Sequence, residues 1–568
     1  MNQIVVKNAK AHNLKDVSVT IPGNKLVGFV GKSGSGKSTL AVDVIYNAYH
    51  KKTPNVQVFG TSVLFKQISS INMQKGSVGR YLTDQDTDFS GSASISDILR
   101  KKKTRFLCGN QLVEIASMLG VDSILIGVPI HELSVSTYNK IRFLKVLASK
   151  SADVLIVDEL ATGLCHAEAK IIGDVYKRLV SLGYTIIAIE HSLPVIMCAD
   201  FIVDLGPDAG VQGGEILFSG DFAAYSRTER WQAIISECQK QLPRHPVGKK
   251  KISVTNINYN CLRGVSIEIP INAVVNICGK AAAGKTSMLD VLFRAFDKSV
   301  NAWKNRQGID GDVGGKENIR RTYVIDQSPL GNNSMSTPAT YSGIMNSIRK
   351  IYANVAVLEG KELSVSDFSY NGRLCCPECA GRGHVSWRED ENELFQLCES
   401  CQGKRYVDYV LSVKDHGLDI GSLLQQPCKE LYRLYNDVRP RAPVTEKIKF
   451  INEVGLSYLC LGQPSGTLSG GESQRIKITK ELAKKLGDRC VFILDNPTKG
   501  LHTLNCVEMI QMLHSLVKKK HTVIISDNNP FVIRNSDFII LLDDGKVSYR
   551  GSPDGIPDKY TKYFGLQG

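Results

Sequence analysis

The chain contains the same phosphate-binding loop twice. The first copy reads GKSGSGKS from Gly31, and the second reads GKAAAGKT from Gly279, 248 positions later. Each copy follows an apolar run, Leu26–Val30 or Ala273–Cys278, and opens a helix-like stretch. A glycine-rich loop between a strand and a helix presents backbone N–H groups and a helix N-terminus to phosphate. Because both copies share this context, they predict two nucleotide-binding units rather than two ordinary glycine turns.

Length and composition limit the class of protein. A chain of 568 residues is too long for one hydrophobic core and predicts two to four domains. No run of eighteen apolar residues occurs, and the N-terminus enters a β-like pattern directly, so we expect a cytoplasmic protein with no membrane segment. Fifteen cysteines in a chain of this size indicate a reduced compartment with one metal site, not a disulfide scaffold.

The charge balance indicates a polyanionic partner. The formal net charge is +14. Basic residues form runs at 100–105, 249–251 and 518–520. We interpret the last two as solvated surface or linker. The denser run, RKKKTR from Arg100, is the candidate contact with nucleic acid.

The repeat divides the chain into two cassettes. The predicted boundaries are 1–240 for the first cassette, 241–250 for a proline-containing linker and 251–568 for the second. Each cassette reaches an apolar strand that ends in acid, Val154–Asp158 or Val491–Asp495, and then another apolar strand. Strands separated by helical stretches predict parallel sheets covered on both faces, an α/β fold.

Two cysteine pairs predict a metal site inside the second cassette, in a module at about 371–410. The spacing fits a closed, tetrahedral four-thiolate zinc site, whose ligands are Cys376, Cys379, Cys398 and Cys401. The segment between the pairs carries the acidic stretch 388–393, which disfavours contact between its tip and DNA phosphate. Two interpretations stay open. The base of the module, with Arg382, Lys404 and Arg405, contacts a DNA backbone, or the module only braces its neighbours.

Further motifs resemble a known family. The stretch LSGGESQR at 468–475 resembles the signature motif of ATP-binding-cassette (ABC) ATPases. Its surroundings resemble UvrA, the damage-sensing subunit of bacterial excinuclease. The segments that carry this resemblance are VGLSY at 454–458, LGQP at 461–464, VIDQSP at 324–329, PATY at 338–341, CQGKRY at 401–406, AHNLK at 11–15, EH at 190–191 and DLGP at 204–207.

The resemblance implies a fold, cofactors and partners. The fold would be two tandem ABC-type P-loop ATPase cassettes with helical signature subdomains and one small zinc module. The cofactors would be ATP, Mg²⁺ and Zn²⁺, and the partners double-stranded DNA and a second copy in a homodimer. UvrA proteins carry two long insertions in their first half, one of which docks UvrB. Only about thirty residues separate Arg100 from Leu133 here, so a UvrB-type partner is not expected. The stretch NNSM at 332–335 replaces residues that are usually basic in the family, which weakens the expectation of damage recognition.

In ABC proteins the phosphate loop of one half is completed by the signature of the other half, which implies a composition for the first site. Its phosphate-contacting residues would be Gly31, Ser33, Gly34, Gly36, Lys37, Ser38, Thr39, Ser469, Gly470 and Gly471. Lys37 would neutralise the β- and γ-phosphates, and Ser38 would ligate Mg²⁺. The catalytic group would be Asp158, which holds the metal's water shell, Glu159, which polarises the attacking water, His191, which steadies the γ-phosphate, and Gln85, which senses metal and water. Gln74 is the alternative to Gln85.

The second site would be degenerate. It would use Gly279, Gly284, Lys285, Thr286, Ser287, Gln327 and Asp495. However, Asn496 stands where the general base belongs, Asn528 stands where the histidine belongs, and the facing signature has become LSVST at 133–137. A carboxamide cannot accept a proton from water. Because all three losses fall in one composite site, we expect one site that hydrolyses ATP and one that binds it with slow or no turnover.

Two functions from different classes follow. The first is a UvrA-like ATPase that binds DNA, as a sensor of damage or of drug–DNA complexes, under control of ATP binding and hydrolysis. The alternative is an ATP-switched regulatory or self-resistance module whose client is a protein. A membrane exporter is disfavoured by the zinc insertion. The sequence leaves open whether the composite sites close within one chain or between two.

Overall fold

The computed structural model describes most of the chain. The described residues are 3–11, 13–46, 56–59, 65–68, 94–100, 102, 104, 107–124, 135–148, 152–208, 210, 213–296, 312–325, 330, 335–389, 392–468, 470–482 and 489–566.

Strands and helices alternate along both halves. The strands, in chain order, are β1 Gln3–Ala9, β2 Val17–Pro22, β3 Leu26–Val30, β4 Val56–Phe59, β5 Phe65–Ile68, β6 Val154–Asp158, β7 Thr185–Ile189, β8 Phe201–Gly206, β9 Glu215–Asp221, β10 Lys251–Tyr259, β11 Leu262–Pro270, β12 Val274–Gly279, β13 Val313–Gly314, β14 Arg321–Ile325, β15 His384–Glu389, β16 Asn392–Leu397, β17 Lys414–Asp415, β18 Leu418–Asp419, β19 Cys490–Asp495, β20 Thr522–Ser526, β21 Phe538–Asp543 and β22 Lys546–Gly551. The helices are Thr39–Tyr46 (of π type), Ile95–Leu99, Gly109–Met118, Val135–Ala148, His166–Ser181, Leu193–Ile196, Phe222–Tyr225, Glu229–Gln239, Lys285–Phe296, Pro338–Tyr341, Ile344–Leu358, Asp408–Leu411, Ile420–Gln425, Cys428–Val438, Pro443–Glu453, Gly470–Leu482, Thr503–Lys518, Pro530–Arg534 and Asp558–Phe564.

The chain forms two compact units. The first unit comprises Met1–Asn318, Thr498–Ile510 and Ile524–Gly568, and the second comprises Ile319–Pro497 and Gln511–Val523. The first unit therefore contains both phosphate loops, and the second contains the cysteine pairs and the signature segment. The cassette boundaries at 240 and 251 stay predictions.

The main sheet of the first unit has the strand order β5-β6-β7-β3-β8-β9. Its first five strands are parallel, and β9 pairs with β8 in the antiparallel direction. Alternate residues of one strand enter different cores: Leu155 and Val157 pack with the helices on one face, whereas Val154 and Ile156 pack with β1, β2 and the helix Thr39–Tyr46 on the other. This double burial explains why β6 reads as a continuous apolar run.

The rest of the first unit repeats these elements for the rear half. Strands β10, β11 and β13 form an antiparallel sheet, and β12 pairs in parallel with β21, which pairs with β22 in the antiparallel direction. In both halves the phosphate loop therefore follows a parallel strand, β3 or β12, that is buried along its whole length.

In the second unit, β14 and β19 pair in parallel. The side chain of Gln474, on the helix Gly470–Leu482, donates to the carbonyls of Ile325 and Asp495, at the ends of these two strands. The guanidinium of Arg475 is buried and donates to the carbonyls of Val454 and Gly455. The helix that follows the signature is therefore fixed to the sheet by its side chains. Among the described residues, no helix is long and apolar enough to cross a bilayer.

Candidate nucleotide and metal sites

The front phosphate loop is a cradle built on glycine. Gly31 has φ +132°, and a Cβ atom there would lie 2.1 Å from the carbonyl oxygen of Leu205. Gly34 and Gly36 also have positive φ, +79° and +103°. The side chain of Lys37 is buried, and its Nζ donates to the carbonyls of Gly31 (2.9 Å) and Lys32 (2.8 Å). The hydroxyl of Ser35 is buried without a hydrogen-bond partner among the described residues. A glycine cradle with a lysine across it and an orphan hydroxyl fits a phosphate group.

Distant residues hold this loop in place. The side chain of Asn13 donates to the carbonyls of Gly34 (3.0 Å) and Gly210 (3.2 Å), and Gly210 N donates to the same carbonyl of Gly34 (2.9 Å). Lys32 forms an ion pair with Asp208 at 3.0 Å. Contacts within the protein therefore hold the loop in its cradle shape, and a loop held in this way costs less entropy to order on binding.

The predicted catalytic side chains lie beside this loop. Asp158 ends β6, and Glu159 follows it with φ +53°, in the left-handed region. The backbone N–H of Glu159 donates to the carbonyl of Ile189 at 2.9 Å. His191 Nε2 lies 3.7 Å from Glu159 Oε1. The structure therefore brings together Lys37, Asp158, Glu159 and His191, as the sequence predicts.

Burial controls the protonation states here. Burial and the nearby Glu159 carboxylate raise the pKa of Asp158 to about 7, although the charge of Lys37 acts in the opposite direction. Burial, Lys37 and His502 together lower the pKa of His191 well below its ordinary value. His191 is therefore neutral near pH 7, and its approach to Glu159 is a contact between a carboxylate and a neutral imidazole, not an ion pair.

A loop from the rear half also lines the front site, a contact that the sequence analysis did not predict. Ser33 Oγ donates to the carbonyl of Gly500 at 3.0 Å. A Cβ atom at Gly500 would lie 2.9 Å from Glu159 Oε2. Two residues later, the ring of His502 meets the ring of His191 edge to face, with centroids 6.1 Å apart. Burial, Lys37 and other nearby cations lower the pKa of His502 to about 3. The only sequence feature that could have indicated this contact is the glycine and the histidine, Gly500 and His502, that follow the second acidic strand.

The rear phosphate loop has the same shape with different chemistry. Gly284 has φ +95°, and Lys285 Nζ donates to the carbonyls of Gly279 (2.8 Å) and Lys280 (2.7 Å). Ala282 takes the left-handed conformation, φ +62°, that Gly34 takes in front. A non-glycine residue there costs about 1–2 kcal/mol. The amide oxygen of Asn528 accepts from Gly279 N at 3.1 Å.

A carboxylate already contacts the rear loop. Glu168 Oε1 accepts from Ala281 N, and Glu168 Oε2 accepts from Cys165 N, both at 3.0 Å. Burial alone would raise the pKa of Glu168, but these two hydrogen bonds, together with the Cys165 side chain and the charge of Lys140, outweigh it and lower the pKa. Glu168 is therefore ionised, and its negative charge lies against a loop built for anions. The sequence prediction missed this residue.

The remaining predicted nucleotide residues lie in the helices after the two phosphate loops, in the second unit, or outside the described residues. Ser38 and Thr39 begin the helical stretch after the front loop, and Thr286 and Ser287 lie in the helix Lys285–Phe296. Asp495 ends β19 in the second unit, where the Asn496 amide donates to its carboxylate at 3.0 Å. Gly470 and Gly471 open the helix Gly470–Leu482, also in the second unit. Gln85, Gln74, Gln327 and Ser469 lie outside the described residues, so the pairing of the front loop with the signature stays a prediction.

The four predicted zinc ligands form one cluster. The Sγ atoms of Cys376 and Cys398 are 3.9 Å apart, those of Cys379 and Cys401 are 3.7 Å apart, and all four lie within 4.8 Å of one another. Four thiolates around zinc at about 2.3 Å require sulfur–sulfur distances of about 3.8 Å. Gly383 N also donates to the Cys379 sulfur at 3.2 Å. The cluster therefore fits a structural zinc ion, and β15 and β16 form the hairpin between the two pairs.

The structure bears on the two open interpretations of this module. The side chain of Arg405 is buried and donates to the carbonyls of Gly381 (3.1 Å) and Gly462 (2.8 Å), so it is not available to DNA. Lys404 pairs with Asp419 at 3.2 Å, and Arg382 Nε donates to the carbonyl of Cys379 at 3.1 Å. A motif of basic residues cannot distinguish a structural guanidinium from a phosphate contact. In the basic run at 100–105 only Arg100, Lys102 and Thr104 are described, and Arg100 is exposed.

Comparisons with known proteins place this arrangement in a family. A family model described as ABC transporter matches residues 14–162. UvrABC system protein A of Clostridium tetani is 32% identical over 496 residues, which cover 83% of this chain. The chain belongs to the UvrA family of ABC ATPases. A second member of the family, from Helicobacter pylori, is 32% identical over 452 residues and 77% of this chain.

The length of the match and the fold complete the comparison. This UvrA-family chain spans 52% of the Clostridium protein and 48% of the Helicobacter protein, about half of each. The crystal structure of UvrA2 from Deinococcus radiodurans superposes with a TM-score of 0.82 at 20% identity and covers 98% of both chains, which shows the fold. The predicted family and the α/β fold of tandem ABC cassettes are confirmed.

Proposed function

We propose that the front site hydrolyses ATP with Mg²⁺ and that the rear site holds nucleotide with slow or no turnover. The observation that carries this proposal is the convergence of Lys37, Glu159 and His191 at the front loop. At the rear loop, the residue equivalent to His191 is Asn528, whose amide oxygen is engaged by Gly279 N.

Each front residue has a distinct task. Lys37 would neutralise phosphate charge, and Ser38 and Asp158 would hold a hydrated Mg²⁺, which would supply further charge stabilisation to the phosphates. Glu159 accepts a proton from the attacking water. The neutral imidazole of His191 contacts the γ-phosphate without competing for that proton. Gly470 and Gly471 of the second unit are proposed to close over the γ-phosphate through backbone N–H groups.

The first prediction tests this assignment. Glu159→Gln removes the proton acceptor and keeps the shape, so phosphate release should fall about 10²–10⁴-fold while ATP binding persists. Steady-state phosphate release and binding of a fluorescent ATP analogue measure the two quantities. Asn496→Glu is the control, because one restored carboxylate leaves the other rear defects in place and should recover little activity. Wild-type turnover in Glu159→Gln would show that the base is misassigned.

We further propose that ATP binding and hydrolysis control a grip on double-stranded DNA, including damaged or drug-bound DNA, by a chain that assembles as a homodimer. The support is membership of the UvrA family, the net charge of +14 and the exposed Arg100 at the start of the basic run. No UvrB-type partner is proposed. The alternative, a protein client, is favoured by the burial of Arg405, which removes one DNA contact expected from the zinc module.

The second prediction separates these two functions. Lysine and arginine contacts with DNA release counterions, so the logarithm of the DNA affinity should fall steeply with the logarithm of salt concentration, by about 0.9 per phosphate contact. Fluorescence anisotropy of a labelled duplex between low and moderate salt measures this slope with and without ATP. Absence of binding at low salt would favour the protein client.

A further inference from the structure

Each half carries a buried acid immediately before His191 or its rear equivalent, Asn528. The acid is Glu190 in the front half and Asp527 in the rear half. Glu190 is 2% exposed and Asp527 is 4% exposed. Neither acid has a place in the phosphate chemistry described above. Burial raises the pKa of both side chains, that of Glu190 to about 8. A buried carboxyl group is costly unless its oxygens are hydrogen-bonded, so the contacts of these two side chains indicate their role.

In the front half, Glu190 holds the turn that presents the general base. Its Oε1 accepts from Ala161 N at 3.0 Å. One residue before Glu190, the carbonyl of Ile189 accepts from Glu159 N at 2.9 Å. Two hydrogen bonds therefore join the turn 159–161 to the end of β7. Glu159 is left-handed, φ +53°, and such a conformation persists only where the surrounding structure enforces it.

In the rear half, Asp527 makes the equivalent contact. Its Oδ2 accepts from Thr498 N at 3.1 Å and from Thr498 Oγ1 at 2.6 Å. Both pairs are related by the same offset of 337 positions, Ala161 to Thr498 and Glu190 to Asp527. The side chain of Asn276 accepts from Asp527 N at 3.0 Å, which fixes the acid itself. A shorter acid facing threonine thus replaces a longer acid facing alanine, and the contact is kept.

Both contacts serve the front site. The front turn carries Glu159. The rear turn leads directly to Gly500, whose carbonyl accepts from Ser33 in the front phosphate loop, and to His502, which meets His191. The rear half has lost its base and its histidine but retains its acid. This combination is understandable if the rear acid acts on the front site through the loop 498–502.

We propose that Glu190 and Asp527 are positioning residues, one from each half, that hold the two loops lining the front phosphate site. Neither residue touches the substrate: Glu190 acts through Glu159, and Asp527 acts through Gly500 and His502. The inference deepens the proposed function and rests on hydrolysis at the front site.

The kinetic test uses variants of the full chain. Glu190→Leu keeps the volume and removes the acceptor, so kcat should fall about 10–100-fold while KM stays within about threefold. Glu190→Gln retains one oxygen for Ala161 N and should recover most of this loss. Asp527→Ala should lower kcat about tenfold although it lies in the degenerate half. The control is Asp200→Ala, which removes another carboxylate bound to backbone, at Leu26 N (2.9 Å), and should leave kcat within about twofold.

Hydrogen exchange provides a readout that does not depend on ATPase activity. Amide exchange around Ala161 should become faster in Glu190→Leu, and exchange around Thr498 should become faster in Asp527→Ala. Unchanged exchange at these segments would overturn the inference, as would wild-type kcat in folded Glu190→Leu and Asp527→Ala. A wild-type chain without ATPase activity would refute the proposed function, while the exchange data would still decide the role of the two acids. Where Glu190→Leu does not fold, Glu190→Ala replaces it, and Asp527→Ala tests the rear acid independently.

Discussion

At the scale of the residue, the front site depends on keeping two imidazoles uncharged. His191 and His502 are buried beside Lys37, and this cation adds to the cost that burial imposes on a second positive charge. Neutral rings can contact phosphate and carboxylate without forming an ion pair. The arrangement lowers folding stability at acidic pH, because the unfolded chain can protonate these rings and the folded chain cannot.

This cost gives a third prediction. The pKa of His502 is about 3 in the folded chain and about 6.5 when unfolded, so the folding stability that neutral His502 supplies is present above pH 6.5 and is lost as the pH falls toward 3. Between pH 8 and pH 5, the free energy of unfolding should therefore fall by roughly 1–2 kcal/mol less in His502→Asn than in wild type. Urea unfolding at the two pH values measures the difference. Parallel pH profiles for His502→Asn and wild type would contradict the assignment.

At the scale of the element, the two phosphate loops have equivalent backbones but contact different groups of the protein. Both follow a buried parallel strand and both wrap a lysine with two carbonyls. The front loop meets the neutral carbonyl of Gly500, whereas the rear loop meets the carboxylate of Glu168 at the start of the helix His166–Ser181. The negative charge of Glu168 on the rear loop repels phosphate, which adds an electrostatic reason for the slow rear turnover proposed above.

The fourth prediction concerns this anion. Glu168→Gln removes the negative charge and keeps the side chain, so the rear loop should bind ATP about 3–10-fold more tightly. Binding of a non-hydrolysable ATP analogue is measured in a Lys37→Ala background, which disables the front loop. Glu114→Gln removes an exposed carboxylate that pairs with Arg178 and is the matched control. Equal affinity in Glu168→Gln and the control would show that the charge does not oppose nucleotide.

At the scale of the whole molecule, loops from the two halves contact each other inside the first unit. Gly500, in the loop 498–502 of the rear half, contacts the front phosphate loop of the same chain. Glu168, in a helix of the front half, contacts the rear phosphate loop. This reciprocal exchange of loops is the arrangement expected when composite sites form within one chain. The sequence left this question open.

The fifth prediction follows from that exchange. An equimolar mixture of Glu159→Gln and Gly470→Asp chains carries one front defect and one signature defect on separate molecules. If the site closes within a chain, the mixture should be as inactive as either variant, about 10²-fold or more below wild type. Recovery toward a quarter to a half of wild-type phosphate release would instead show closure between chains.

Much of the local chemistry could be predicted from the sequence. Glycines at Gly31 and Gly284, acids at the ends of apolar strands, and cysteine pairs at fixed spacing act through neighbours along the chain, so their patterns identify the phosphate loops and the four-cysteine cluster and predict the acid proposed to hold the metal. The folded chain was needed to show that Gly500 and Glu168 contact phosphate loops, that Arg405 is buried, and that Glu190 and Asp527 bind the backbone of Ala161 and Thr498. These roles depend on contacts between residues up to several hundred positions apart, and the identity of a single side chain carries no information about which distant backbone group it will meet.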